Sequence, residues 1–343
     1  MKLKEIFEKN PNIIINTDID GVLSGVILVK YCKCKIVGFT NSKDCVWLAD
    51  DYDDLYKHVY IDMFVTDNNA ICIDQHIVAL DDNHMKKIIS LGNKFSPQND
   101  DNNNLRVFSS LGFKHKYPFG TLQYLIAQLE SEGIKITLPD LNSQIPNSAI
   151  KIGDLIHRAD DAMKTSMYAY ESNAKFWWDW LDKKAPKGSI KLMKAYLDQL
   201  VHTSDAKVNA ISKKHKKKDY IDQRTEDVEN IKDKTKEYFK SQFGCKTSDG
   251  GFNIITDKNE DLLPNIEKYI KTISTLLGAN DIEIPKHYVV HRGTACRTRW
   301  LDIFKDDFLK DYTICGHKIF SYAFIYGPDN DGRTNFSFTI DMN

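Results

Sequence analysis

The sequence predicts an α/β protein, with a largely parallel sheet in its N-terminal part and a smaller α/β unit behind it. The first observation is alternation. Short apolar runs at Ile13–Asn16, Lys35–Phe39, Val59–Ile61 and Ala70–Ile73 interleave with helical spacing at Leu23–Tyr31 and Thr121–Glu130. That is the order of strands and crossover helices in a parallel sheet. The second observation is how the runs end. Ile13-Ile14-Ile15-Asn16-Thr17 leads into Asp18 and Asp20, Val59-Tyr60-Ile61 into Asp62, and Ile71-Cys72-Ile73 into Asp74-Gln75-His76. Open α/β sheets bind ligands beyond the carboxyl ends of their strands, so these acids are candidates for one crevice. The third is size: 343 residues, 42% hydrophobic and 28% charged, suffice for two domains with separate cores.

The elements follow in order. Gly21 comes directly after the first acids and a helix begins there. Residues 93–104, rich in Asn and Asp with one proline, read as a loop. Leu122, Leu125, Ile126 and Leu129 lie at helical spacing, with Gly133 placed to cap the C-terminus. From Ile150 to about Leu200 the chain reads as helical. Its cluster Phe176-Trp177-Trp178-Asp179-Trp180 is read as core or interdomain packing rather than as a base-stacking surface. Asp205 to Lys240 is dominated by charge, including the lysines of 213–218 interspersed with acids, and reads as a surface helix or linker. After Gly250-Gly251, strands are expected at Phe252–Ile255, His287–Val290, Phe320–Tyr326 and Phe336–Ile340, with a helix over Leu262–Leu277. The expected division is a first domain over 1–185, a charged helical linker over 186–243 and a second domain over 244–343.

Composition narrows the setting. A net charge of -1 argues against coating nucleic acid by bulk electrostatics, while leaving room for a local basic patch. Met1-Lys2-Leu3-Lys4-Glu5 lacks the apolar core of a signal peptide, and no stretch reaches membrane-spanning length. Seven scattered cysteines fit reduced thiols and a cytoplasmic location. The spacing of Cys32-Lys33-Cys34 matches neither a zinc knuckle nor a redox motif, so both cysteines are read as packing.

Gathered carboxylates repel one another unless a cation neutralises them, so three strand-end acids point to a metal site. Asp is also a common helix cap and turn residue, and Asp18 or Asp20 could simply cap the helix from Gly21. His76 has a second reading as a satisfied core imidazole.

Asn16-Thr17-Asp18-Ile19-Asp20-Gly21, with Ser24 following, Asp62, and Asp74-Gln75-His76 resemble, in order, the His-x-Asp-x-Asp-Gly, lone Asp and Asp-His-His motifs of the DHH family of phosphoesterases. That family includes RecJ-type exonucleases, nano-RNases and cyclic-dinucleotide phosphodiesterases. Its fourth acid is best matched by Asp160, with Asp154 and Asp161 as alternatives. Its substrate-binding domain is similar to Thr294–Trp300, carrying Arg297 and Arg299, followed by Cys315-Gly316-His317-Lys318. The resemblance implies a phosphodiesterase using two Mn²⁺ or Mg²⁺ ions on short oligonucleotides, cyclic nucleotides or single-stranded ends. It implies that Asp62 bridges the ions, that Asp18 holds one and that Asp20 with Asp160 holds the other. Asp74 would be a ligand or an orienting group, and His76 would meet the scissile phosphate. Arg297, Arg299 and His317, with Gly316 in the turn, would clamp the distal phosphate; as residues alone the two arginines read equally as surface positions on an edge strand. Asn16 and Gln75 stand where the family has histidine ligands, and an amide is a poorer ligand than imidazole for Mn²⁺. The alternative expectation is a relative that binds nucleotides or nucleic acid without hydrolysing them.

Overall fold

The computed structural model describes residues 2–100, 117–139, 168–185, 188–193, 237–246, 251–279, 282–299, 312–314, 316–324 and 335–343, with the side chains of 168–175, 299, 324 and 335 excepted. In chain order the elements are α1 (Leu3–Lys9), β1 (Asn12–Asn16), α2 (Ile19–Cys32), β2 (Lys35–Thr40), β3 (Cys45–Ala49), β4 (Val59–Ile61) and β5 (Ile71–Ile73). Then come α3 (Asp82–Leu91), β6 (Lys94–Phe95), α4 (Pro97–Asp100), α5 (Thr121–Ser131), α6 (Tyr168–Lys184) and α7 (Pro264–Leu276). The C-terminal strands are β7 (Tyr288–Arg292), β8 (Thr294–Arg299), β9 (Thr313–Ile314), β10 (His317–Phe324) and β11 (Asn335–Ile340).

Seven strands form one sheet in the order β6-β5-β4-β1-β2-β3-β7, and four form a second in the order β8-β11-β10-β9. Strands β2, β1, β4, β5 and β6 are mutually parallel, while at one edge β3 runs antiparallel to β2 and β7 antiparallel to β3. The α/β class with a largely parallel sheet is therefore as expected, and the smaller second sheet is purely antiparallel.

The two-residue period of the strands separates two cores. Ile13, Ile15, Val59, Ile61 and Ile73 face the helices, where α2, α5 and α7 bury Val26, Leu125 and Ile273. Ile14, Tyr60 and Cys72 face the other way and meet Phe320, Phe336 and Phe338 of the small sheet. The result is three layers: helices, large sheet, small sheet.

Two expected members of the C-terminal unit pack elsewhere. The strand over His287–Val290 does not belong to a separate C-terminal unit; β7 pairs with β3 and extends the large sheet. Helix α7 likewise joins the first core, with Lys30 Nζ donating to the Leu277 carbonyl at 2.6 Å. The second core is thus assembled from β8–β11 together with one face of the N-terminal sheet, because a four-stranded antiparallel sheet must cover its apolar face. Most of the expected linker over 186–243 lies outside the described residues. Its described ends are packed: Ser189 donates to Glu130 at 2.6 Å, and Phe239 and Phe243 lie 5.6 and 5.3 Å from the Tyr269 ring.

The tryptophan cluster packs, as its density suggested. Trp177 and Trp178 are buried against Tyr117 and Phe119, with ring centroids 5.2 and 4.4 Å apart. The stretch expected as a loop from residue 93 contains β6 and α4; its last residues, 101–104, are not described. Among the described residues no helix is long and apolar enough to cross a membrane.

Candidate functional site

Strands β1, β4 and β5 are neighbours, and Ile15, Ile61 and Ile73 stand level with one another. The residues that follow, Asn16, Asp62 and Asp74, consequently leave the sheet side by side at its carboxyl edge. After Asn16 the chain turns at once into α2. Asp18 is the N-cap, its Oδ1 accepting from the Gly21 amide at 3.0 Å. That turn needs glycine: a Cβ on Gly21 would stand 2.4 Å from the Asn16 carbonyl oxygen. Gly21→Ala should therefore lower the unfolding free energy by roughly 1–3 kcal/mol, the usual effect of forced overpacking, in a urea titration.

Asp62 holds a left-handed backbone, φ 59°, at the end of β4, a conformation disfavoured for most side chains and typical of functional positions. Its carboxylate is buried and tied on both sides. Thr121 Oγ1 donates to Oδ1 at 2.8 Å, and the Asn16 amide donates to Oδ2 at 3.0 Å. The same Asn16 nitrogen donates to Asp18 Oδ2 at 2.9 Å, so one amide bridges the two carboxylates. Asp74 is buried, and its Oδ1 accepts from the His76 backbone amide at 2.8 Å. Gln75 Nε2 lies 3.0 Å from His76 Nε2, while Gln75 Oε1 is buried without a hydrogen-bond partner.

A cavity of about 540 Å³ opens above these strand ends, lined by Asn16, Asp18, Asp62, Asp74 and His76 on one side. The facing wall is the small sheet. Two cross-strand rows, Ala295–Thr339–Ser321 and Arg297–Ser337–Ala323, present small side chains and one guanidinium to it. Ser42 and Lys43, from the turn between β2 and β3, complete the rim. Acids and cations thus stand on opposite walls.

The structure brings Asn16, Asp18, Asp62, Asp74, His76 and Arg297 together around this cavity. Several other expected residues stand elsewhere. Asp20 is buried and absent from the cavity lining; its two carboxylate oxygens accept from the Thr121 and Leu122 amides, each at 2.8 Å, and so cap α5. A helix N-terminus offers unpaired N–H groups and a positive dipole end, which a carboxylate satisfies. His317 is exposed and bonded to Asp341 at 2.6 Å, and Gly316 (φ 82°) makes the tight β9–β10 turn. Neither lines the cavity. Gln75 is buried and does not reach it. Arg299 ends β8, but its side chain is outside the described residues, as are Asp154, Asp160 and Asp161.

Two participants escaped the sequence reading. Thr121, which ties Asp62 to α5, reads in the sequence only as the first residue of a helix. Lys43 sits in an Asn41-Ser42-Lys43-Asp44 turn whose polar composition signals only a reversal of the chain.

The donor set can be tested against the divalent pair that the resemblance implies. Three carboxylates on one cavity are hard ligands suited to Mn²⁺ or Mg²⁺. However, the Asn16 amide N–H group donates to both Asp18 and Asp62, and Asp20 is engaged by α5. Among the described residues no group of three or more His, Cys, Asp or Glu could hold an ion. The described residues by themselves do not fit a two-ion centre. Comparison with protein-family models, curated proteins and solved structures gave no match.

Proposed function

We propose that this chain is a DHH-like protein that binds a nucleotide or short single-stranded nucleic acid in the cavity between its two sheets without hydrolysing it by a two-metal mechanism. The observation that carries this reading is the Asn16 amide donating to both Asp18 and Asp62. It supports hydrogen bonding in place of ionic neutralisation between these two carboxylates. Arg297 supplies the phosphate contact from the facing wall, its planar fork matching phosphate oxygens.

The second reading, a metal-dependent phosphodiesterase, is favoured by Asp18, Asp62 and Asp74 sharing one cavity with His76 and facing Arg297. One experiment separates the two. The full chain is incubated with Mn²⁺ or Mg²⁺ and a panel of dinucleotides, cyclic dinucleotides and single-stranded oligomers. Products are resolved by chromatography, and binding is measured by calorimetry in EDTA. The expected result is binding in EDTA and no product with either metal. Product formation that Asp62→Ala abolishes establishes the enzyme. The substitutions Asn16→His and Gln75→His together should raise Mn²⁺ affinity, since imidazole outranks an amide as ligand; tight two-site Mn²⁺ binding by the unaltered chain would overturn the binding-only reading.

A further inference from the structure

The cavity is chemically two-sided, and the sides are made differently. One wall is Asp18, Asp62 and Asp74 at the strand ends. The other is the small sheet, which lines the cavity with Ala295, Ser321, Ala323, Ser337, Thr339 and Arg297 and also with Cys296, Tyr322 and Phe338. The opposite face of that sheet carries Tyr322, Phe336 and Phe338 and is buried in the second core. The small side chains of the two rows leave room beside them for a flat ring.

Lys43 joins Arg297 on that side. The Thr339 hydroxyl donates to the Lys43 carbonyl, and Ser337, two residues from Thr339 on the same face, is paired with Arg297. One strand repeat of about 7 Å separates the two anchoring points. The turn that presents Lys43 is held from within. Asn41 Oδ1 accepts from the Lys43, Asp44 and Cys45 amides, each at 3.0 Å, and Thr40 Oγ1 accepts from the Ser42 amide at 3.1 Å.

A carboxylate that keeps its charge repels phosphate and accepts hydrogen bonds from hydroxyl groups, up to about four per carboxylate. A phosphorylated sugar can satisfy both walls in one orientation only. We infer that the cavity takes a ribonucleotide with its terminal phosphate on Lys43 and Arg297 and its ribose hydroxyls on the strand-end carboxylates, so that it selects ribose over 2′-deoxyribose. This rests on the nucleotide-binding reading above and adds to it the sugar, the polarity and Lys43.

The test is calorimetry on the full chain, in EDTA, with the four ribonucleoside 5′-monophosphates, their 2′-deoxy counterparts and the parent nucleosides. A hydroxyl bonded to a charged acceptor should make the ribonucleotides bind about tenfold or more tighter than the deoxynucleotides. Lys43→Ala should weaken the monophosphates about tenfold and leave the nucleosides unchanged; Lys43 is exposed, so circular dichroism should show an unaltered fold. Equal affinity for ribo and deoxy forms overturns the inference, as does a Lys43→Ala variant that weakens nucleosides and monophosphates alike. Binding of oligonucleotides but of no mononucleotide overturns the terminal-phosphate polarity while sparing the nucleotide-binding reading. Binding of neither class overturns both.

Discussion

Asp20→Ala is expected to lower the unfolding free energy by about 3 kcal/mol in metal-free buffer. Two buried backbone donors lose a charged acceptor at once, and hydrogen bonds to charged groups contribute roughly 1.5–3 kcal/mol each. The α5 dipole loses its counter-charge as well, a further contribution on the order of 0.5 kcal/mol or more. The Thr121 and Leu122 amides are served by Asp20, which reaches them from α2, about a hundred residues earlier in the chain. Asp20→Asn should recover part of the loss, since its carbonyl oxygen can accept from one of the two amides. Chemical denaturation in EDTA measures this directly. Unchanged stability together with lost Mn²⁺ affinity would instead assign Asp20 to a metal.

The second large effect is on acid stability. His84 is buried; its Nδ1 accepts from the Leu80 amide at 3.1 Å, so Nε2 carries the proton and lies 2.8 Å from the Tyr312 hydroxyl. Burial pushes the imidazole down from 6.5 to about 4, with Asp81 acting in the opposite direction and Lys87 reinforcing the shift. The unfolded chain therefore binds a proton at this site near pH 6.5, whereas the folded chain refuses it until about pH 4. Stability is fully present above pH 6.5 and falls as pH drops from 6.5 to about 4, by about 3 kcal/mol in total. Protonating Nδ1 would also set two donors, ring and Leu80 amide, against each other. Urea midpoints at pH 7 and pH 4.5 should converge less steeply in His84→Gln, which carries no titrating ring. An unchanged pH slope in that variant would place the acid sensitivity elsewhere.

How much of this was legible in the sequence differs from residue to residue. Asp18, Asp62 and Asp74 could be placed at strand ends because three or four apolar residues before an acid leave few other local structures, and parallel pairing then aligned them. Asp20 could not be separated from Asp18 by the same means. One residue further on, the chain has entered α2, where each step rotates a side chain by about 100°, and the helix it caps is remote in sequence. The phosphate-side residues divide in the same way. Arg297 lies on a strand whose face is set by its register, and it reaches the cavity. His317 begins the next hairpin arm, where a turn and the nearby Asp341 determine its place. The expected strand at His287–Val290 was correct as a strand, yet its partner is β3, far earlier in the chain, and long-range pairing leaves no local trace.

That pairing has a consequence for how the protein is made. About 240 residues separate β3 from β7, so at ribosomal speeds of roughly 5–20 residues per second the edge of β3 waits on the order of 10–50 s for its neighbour. Throughout that interval a strand with Cys45, Val46, Trp47, Leu48 and Ala49 all destined for burial stands open on one side, the geometry that recruits strands from other chains. Emerging chains are thus exposed to mispairing at this edge until residue 292 has left the ribosome, and a product truncated before residue 288 carries that open edge permanently.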